Sequence, residues 1–308
     1  MNLQQLRYLC AVVETKFNVS KAAERLFTSQ PGISKQIQLL EGELGVLLLV
    51  RKGNRILGLT PPGEEVYAVA QRMLSDALNL KKIGEEFSAK NEGSLVVATT
   101  HLHAGYVLPK IIKKFSELYP HVTVSLRQSD PYQVANWIIS GEADIGISAT
   151  FDESPEELIL FPYSTIERSI LVPEGHPLVK LKKITLEKIA QYSIISLDAS
   201  LAGGSGIKQV FENNGLKPNF VLSATDTDVI KTYVNIGHGI AIIPTIAYAK
   251  NRDKGLMILD AGGLFPSIPI FIQVRRGKYL RHYMEDFITM VCPNWNGEHL
   301  NGVLYNKK

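Results

Sequence analysis

The feature that most constrains this chain is a change of hydrophobic period at Asn91-Glu92-Gly93. Before it, apolar residues recur at helical spacing, interrupted by one hairpin pattern. After it, short apolar runs bounded by turn residues alternate with helical patterns as far as Cys292. A helical stripe and a strand alternation cannot serve the same backbone, so the break separates two folding units. A length of 308 residues points the same way, because one ordinary core does not grow that large. Hydrophobic residues make up 45% and charged residues 20%, enough apolar surface to build both cores.

Charge is distributed unevenly. Residues 1–60 hold eight Lys/Arg against four Glu, a net of +4, whereas residues 61–90 sum to −1 and the remainder to zero. The excess positive charge therefore lies where a polyanion would be met. Cys10 and Cys292 are far apart and match no metal or redox spacing, and Cys10 falls on an apolar helical face. No secretory leader pattern opens the chain and no apolar run approaches a bilayer span, so the chain reads as cytoplasmic, with no membrane partner.

In the first sixty residues, Leu3, Leu6, Leu9, Cys10 and Val13 predict one helix. Ser20 opens a second, whose Ala22-Ala23 pair leaves room for a helix crossing nearby. A third starts at Thr28-Ser29-Gln30-Pro31, with Ser29 as cap and Pro31 early, where its missing N–H costs little. Ile33, Ile37 and Leu40 form its inner stripe. The outer stripe is Pro31, Ser34, Lys35 and Gln38. An ordinary solvated face would also be polar, but this one excludes acidic groups until Glu41. Short or flexible polar groups without acids are what a helix in a major groove requires. Leu47–Val50 followed by Arg51-Lys52-Gly53-Asn54-Arg55 reads as a two-stranded wing, its Arg51, Lys52 and Arg55 laid along phosphates.

These residues resemble a known family. Leu3-Gln4-Gln5-Leu6-Arg7-Tyr8, Ala22-Ala23, the run from Thr28 to Ile37, and Glu41-x-Glu43-Leu44-Gly45 are similar to the N-terminal domain of LysR-type transcription regulators. The resemblance implies a winged helix-turn-helix over residues 1–60 that binds double-stranded promoter DNA through Ser29, Gln30, Pro31, Ser34, Lys35, Gln38 and the wing.

Thr60-Pro61-Pro62-Gly63-Glu64 opens a long helix over residues 61–90. Its positions Val66, Ala70, Met73, Ala77, Leu80, Gly84 and Phe87 alternate in steps of four and three, a heptad seam. A helix packed on its own domain would show the same spacing. The LysR resemblance implies instead a linker helix that dimerises, within a homodimer or homotetramer; RNA polymerase is a further partner of such regulators.

From residue 91 onward the alternation predicts an α/β sheet, mostly parallel, in two halves: about 91–163 with 268–292, and about 164–267. This reads as a two-lobed effector-binding domain, like that of periplasmic binding proteins. In such sheets ligands sit beyond strand C-terminal ends, near helix starts. That rule selects Thr99, Thr100, His101, Leu102 and His103 after the first strand, and Ala149 and Thr150 after the third. In the second half it selects Ala202, Gly203 and Ser205, and Thr225 and Asp226. Helix starts and hydroxyls suit a small anion, with His103 as a hydrogen-bond donor. Thr225 and Asp226 also serve as plain N-caps, and Gly203-Gly204 as a simple turn. His101 and His103 lack a third metal ligand at close spacing, so no metal is expected. No Gly-x-Ser-x-Gly, P-loop or clustered acid/base set occurs, which argues against an enzyme.

Within the family, this region is similar to the CysB-type regulators of sulfur assimilation. The likeness runs through Gly93-Ser94-Leu95, Ala98-Thr99-Thr100-His101, the run from Ala224 to Val234, and Leu280-Arg281 to Ile288. It implies a role in sulfur metabolism and an effector that is acetylserine-like or a sulfate- or thiosulfate-like anion, with no other cofactor. This chain departs from the subgroup by Leu102-His103 in place of Thr-Gln, and by Ala149 and Ala202 in place of cleft hydroxyls. Each lost hydrogen bond is worth about 0.5–1.5 kcal/mol, so the effector differs or binds more weakly.

Overall fold

The computed structural model describes residues 1–53, 55–88, 92–149, 155–198, 204 and 206–293. The chain divides into two compact units, 1–88 and 89–308.

The first unit opens with α1 (Leu3–Glu14), α2 (Val19–Arg25) and α3 (Gln30–Leu44). Asn2 and Gln5 form a reciprocal capping box on α1. The expected start of α2 at Ser20 moves back: Asn18 is the cap, its side chain accepting from Lys21 N, and Asn serves there as well as Ser. Ser29 caps α3 by accepting from Gly32 N at 3.2 Å. Ile33, Ile37 and Leu40 are at most 1% exposed and meet Leu6, Leu9, Val12 and the Ala22-Ala23 pair. The wing is β1 (Leu49–Lys52) paired antiparallel with β2 (Arg55–Leu59). The long helix α4 (Pro61–Ser88) follows. Its start is packed tightly: a Cβ on Gly63 would lie 2.1 Å from the Leu48 carbonyl oxygen.

The second unit holds two five-stranded sheets. In the first lobe β3 (Glu92–Thr99), β4 (His121–Gln128), β5 (Ile145–Ala149), β6 (Leu158–Ile166) and a strand from the chain's end, Ile268–Arg275, form one sheet. Its helices are α5 (His101–Tyr106), α6 (Leu108–Leu118) and α7 (Pro131–Ser140). In the second lobe β7 (Arg168–Pro173), β8 (Ser193–Leu197), β9 (Asn219–Ala224), β10 (Ile240–Pro244) and β11 (Leu256–Asp260) form the other, with α8 (Leu186–Ile189), α9 (Ile207–Asn213) and α10 (Thr227–Asn235). The returning strand is β12 (Ile268–Arg275), in the order β4-β3-β5-β12-β6; α11 (His282–Val291) packs on the first-lobe core. The second sheet runs β11-β7-β10-β8-β9.

β12 returns to the first-lobe sheet, and that sheet's β6 runs to Ile166, past the expected lobe boundary at residue 163. The mostly parallel expectation is corrected. Each sheet has two parallel pairings, β4-β3-β5 and β10-β8-β9, and two antiparallel ones, contributed by β6 and β12 and by β7 and β11. Between β3 and β4 the chain forms two helices, α5 and α6, meeting at Val107 with Pro109 early in the second.

Candidate functional site

The face that the sequence singled out for DNA comprises α3 and the wing. Gln30, Pro31, Lys35 and Gln38 are exposed on α3 while Ser34 is half-buried. Gln30 is steadied by Ser20, whose hydroxyl donates to Gln30 Oε1 at 3.3 Å. Ser29 holds the cap described above, so its hydroxyl is engaged within the chain. Lys52 and Arg55 are exposed across the wing turn, and Asn54 lies outside the described residues. Arg51 has an internal commitment that spacing did not reveal. Its guanidinium lies 3.4 Å from Glu41 Oε2, and the 7%-exposed Glu41 also accepts from Leu48 N and Leu49 N. Glu41 thereby ties the end of α3 to the wing; two orphan backbone donors and a cation converge on one carboxylate.

The seam along α4 separates into two parts. Ala70 is 1% exposed and sits inside its own domain's core, which corrects its assignment to a partner interface, whereas Val66 is half-buried against the same core. Met73 and Leu80 remain exposed on the stripe, with Val69 on the same side of the helix, and Ala77 is half-buried. The side chain of Phe87 lies outside the described residues.

In the second unit a cleft of about 910 Å³ lies between the two sheets. It is lined by Thr100, His101, Leu102 and His103 at the start of α5, by Ala149 at the end of β5, and by Thr225 and Asp226 before α10. The strand-end rule therefore brought together seven of the twelve expected residues. Thr150, Ala202, Gly203 and Ser205 lie outside the described residues. Thr99 is a correction: it is fully buried, absent from the lining, and its hydroxyl donates to Ile147 O at 2.8 Å between β3 and β5. His103 is 2% exposed, set beside Tyr163, and burial pushes its imidazole down to about 4, which leaves a neutral ring with a single N–H donor. Its Nδ1 lies 3.1 Å from the Thr100 hydroxyl, which it orients.

The lining also includes residues the sequence did not single out. Ser129, Asp130 and Tyr132 follow the end of β4, where the same rule applied to the second strand would have found them. Tyr106, from α5, crosses to the second lobe: its hydroxyl donates to Asp228 and accepts from Lys231 Nζ at 2.8 Å. Lys231 is 6% exposed and pairs with Asp228 at 3.2 Å and Asp253 at 3.1 Å, while Arg252 stacks over the Tyr106 ring. These partners hold both Asp228 below and Lys231 above their ordinary pKa values, against the burial that pushes each the other way. Among the described residues no cluster of three or more metal-ligating side chains occurs.

Both halves match family models: the bacterial regulatory helix-turn-helix of the lysR family over residues 3–64, and the LysR substrate binding domain over residues 88–294. The chain is a LysR-type transcription regulator. It is 43% identical over 304 residues to the HTH-type transcriptional regulator SsuR of Burkholderia cenocepacia, covering 99% of each chain. It is 39% identical to CysB of the same organism, covering 96% of this chain and 95% of that one. The cofactor-binding domain of the Cbl transcriptional regulator superposes with a TM-score of 0.65 at 36% identity, over 70% of this chain and 95% of that one. Within this LysR-type regulator, residues 3–64 thus form the helix-turn-helix part and the cleft lies in the substrate-binding domain.

Proposed function

We propose that this regulator controls sulfur-metabolism genes, for cysteine biosynthesis or for use of alternative sulfur sources, in response to a small effector bound in the cleft. The observation that carries this reading is the coincidence of two features. The run from Ala224 to Val234, by which the chain resembles the CysB-type subgroup, also supplies Thr225, Asp226 and Asp228 to the cleft. The regulator acts on promoter DNA in the cytoplasm as a homodimer or homotetramer, so that two recognition helices meet spaced half-sites. Effector binding favours one arrangement of the lobes over another and so alters how dimers sit on DNA. RNA polymerase is the partner through which occupancy becomes transcription.

A second reading, a related regulator tuned to a different small anion or amino-acid-like metabolite, is favoured by the absence of a hydroxyl at Ala149 on the cleft wall. Transcript measurement in a deletion strain separates the two. Under sulfur limitation, loss of the regulator should change sulfur-assimilation transcripts several-fold; unchanged levels, with another regulon disturbed, would favour the second reading.

A further inference from the structure

One helix of the second unit belongs to both lobes. α5 follows the first-lobe strand β3, yet its Leu102 packs on the core of each lobe. Tyr106, at its end, packs on the second-lobe core of Leu171, Ile195 and Ile230. The start of the same helix, Thr100 and His101, lines the cleft.

The Tyr106 hydroxyl is committed within the protein. It donates to Asp228 and accepts from Lys231 Nζ at 2.8 Å, both on α10. Lys231 Nζ lies 4.7 Å and the Arg252 guanidinium 5.1 Å from the ring centroid. Lys231 is anchored in turn by Asp228 at 3.2 Å and Asp253 at 3.1 Å, and Asp253 also accepts from Ala249 N at 2.8 Å. Two cations and two carboxylates therefore surround one phenol, and hydrogen bonds to charged partners are the strong ones. α10 begins at Thr227, and the segment Thr225 to Asp228 lines the cleft from the second lobe. The bridge thus ties together the two helices whose starts line the cleft from either lobe. A ligand that touches both lobes binds best where they already stand at the right spacing. Otherwise its apparent affinity falls with the fraction of molecules in the competent arrangement.

We infer that Tyr106 is a positioning residue for the effector site: its hydroxyl, bonded to Asp228 and Lys231, fixes α5 against α10 and so holds the two sides of the cleft at the spacing the effector bridges. This rests on the cleft being the effector site, and it applies to whichever small effector enters. Tyr106 acts through α10, since its one donor hydrogen is given to Asp228. Tyr106→Phe removes the bridge cleanly. The ring keeps its packing and its cations, and Lys231 keeps both carboxylates, so no buried charge is stranded.

The test is calorimetric titration of the full-length wild type and of Tyr106→Phe with three unlike probes: O-acetyl-L-serine, N-acetyl-L-serine and sodium sulfate. Tyr106→Phe should bind each probe that the wild type binds about tenfold more weakly, at unchanged stoichiometry, with the factors agreeing within about threefold between probes. Equal or tighter binding by Tyr106→Phe overturns the inference. A loss for one probe with another bound as tightly as before also overturns it, because that pattern marks a direct contact with one ligand. Reduced stoichiometry at unchanged affinity overturns it as well, as the sign of a role confined to folding. These three results leave the effector-cleft reading standing, because the wild type has bound a probe. Absence of heat from all three probes with the wild type overturns the acetylserine- and sulfate-class reading and this inference with it.

Discussion

At the scale of single residues, two side chains are held in states that cost stability, and each makes a measurable prediction. Phe27, in the turn between α2 and α3, has φ +51° and its ring is 98% exposed. A bulky residue in the left-handed region is strained by roughly 1–2 kcal/mol, and Asn tolerates it far better. With no packing to lose, Phe27→Asn should stabilise the DNA-binding domain by about 1 kcal/mol in urea denaturation; a loss of stability would show that the ring is held by contacts within the chain. His103 carries the second. Burial lowers its imidazole to about 4, whereas the unfolded ring titrates near 6.5. Between those values the unfolded chain takes up a proton that the folded one refuses. Stability is therefore unaffected above about pH 6.5 and falls as pH drops toward 4, by about 3 kcal/mol at the end of that window. His103→Gln should flatten this slope in effector-domain melts across pH 4–7, and an unchanged slope would assign the acid sensitivity to other groups.

Secondary-structure elements show where sequence spacing was sufficient and where it was not. The inner stripe of α3 was legible because Ile33, Ile37 and Leu40 all answer to one core. Glu41 was not, because its partners, Leu48, Leu49 and Arg51, lie across a turn that no helical period encodes. The seam of α4 was half legible. A heptad states that a stripe is apolar but not which surface covers it, and Ala70 is covered by its own domain whereas Leu80 is 71% exposed. Ala70→Asp should therefore unfold the domain by burying an unpaired charge. Leu80→Asp should leave its thermal transition within about 0.5 kcal/mol, as an exposed substitution, yet lower the oligomeric state in sedimentation. An unshifted assembly with Leu80→Asp would place the self-association surface elsewhere. In the effector domain, β6 and β11 carry weak strand signals in the sequence: Leu158–Ile166 includes Pro162, and Leu256–Asp260 follows the turn at Gly255 without a clear alternation.

Over the whole molecule, two units carry two separable chemistries. The first presents a polar helix face and a basic wing; the second presents a cleft between two mixed sheets. Cleft residues at strand ends were readable because topology dictates where an α/β sheet leaves room. Tyr106 and its bridge to Asp228 and Lys231 were not, because the pairing spans more than a hundred residues and joins two lobes. The claim on which the rest depends is that the outer face of α3 meets DNA, and Lys35 is its exposed cation. The direct test is a salt titration of full-length protein against a duplex selected from a random pool. Wild-type affinity should fall steeply with salt, and Lys35→Ala should weaken binding while reducing the slope of log K against log salt by about 1. Unchanged affinity and slope in Lys35→Ala would contradict the assignment of this face to DNA.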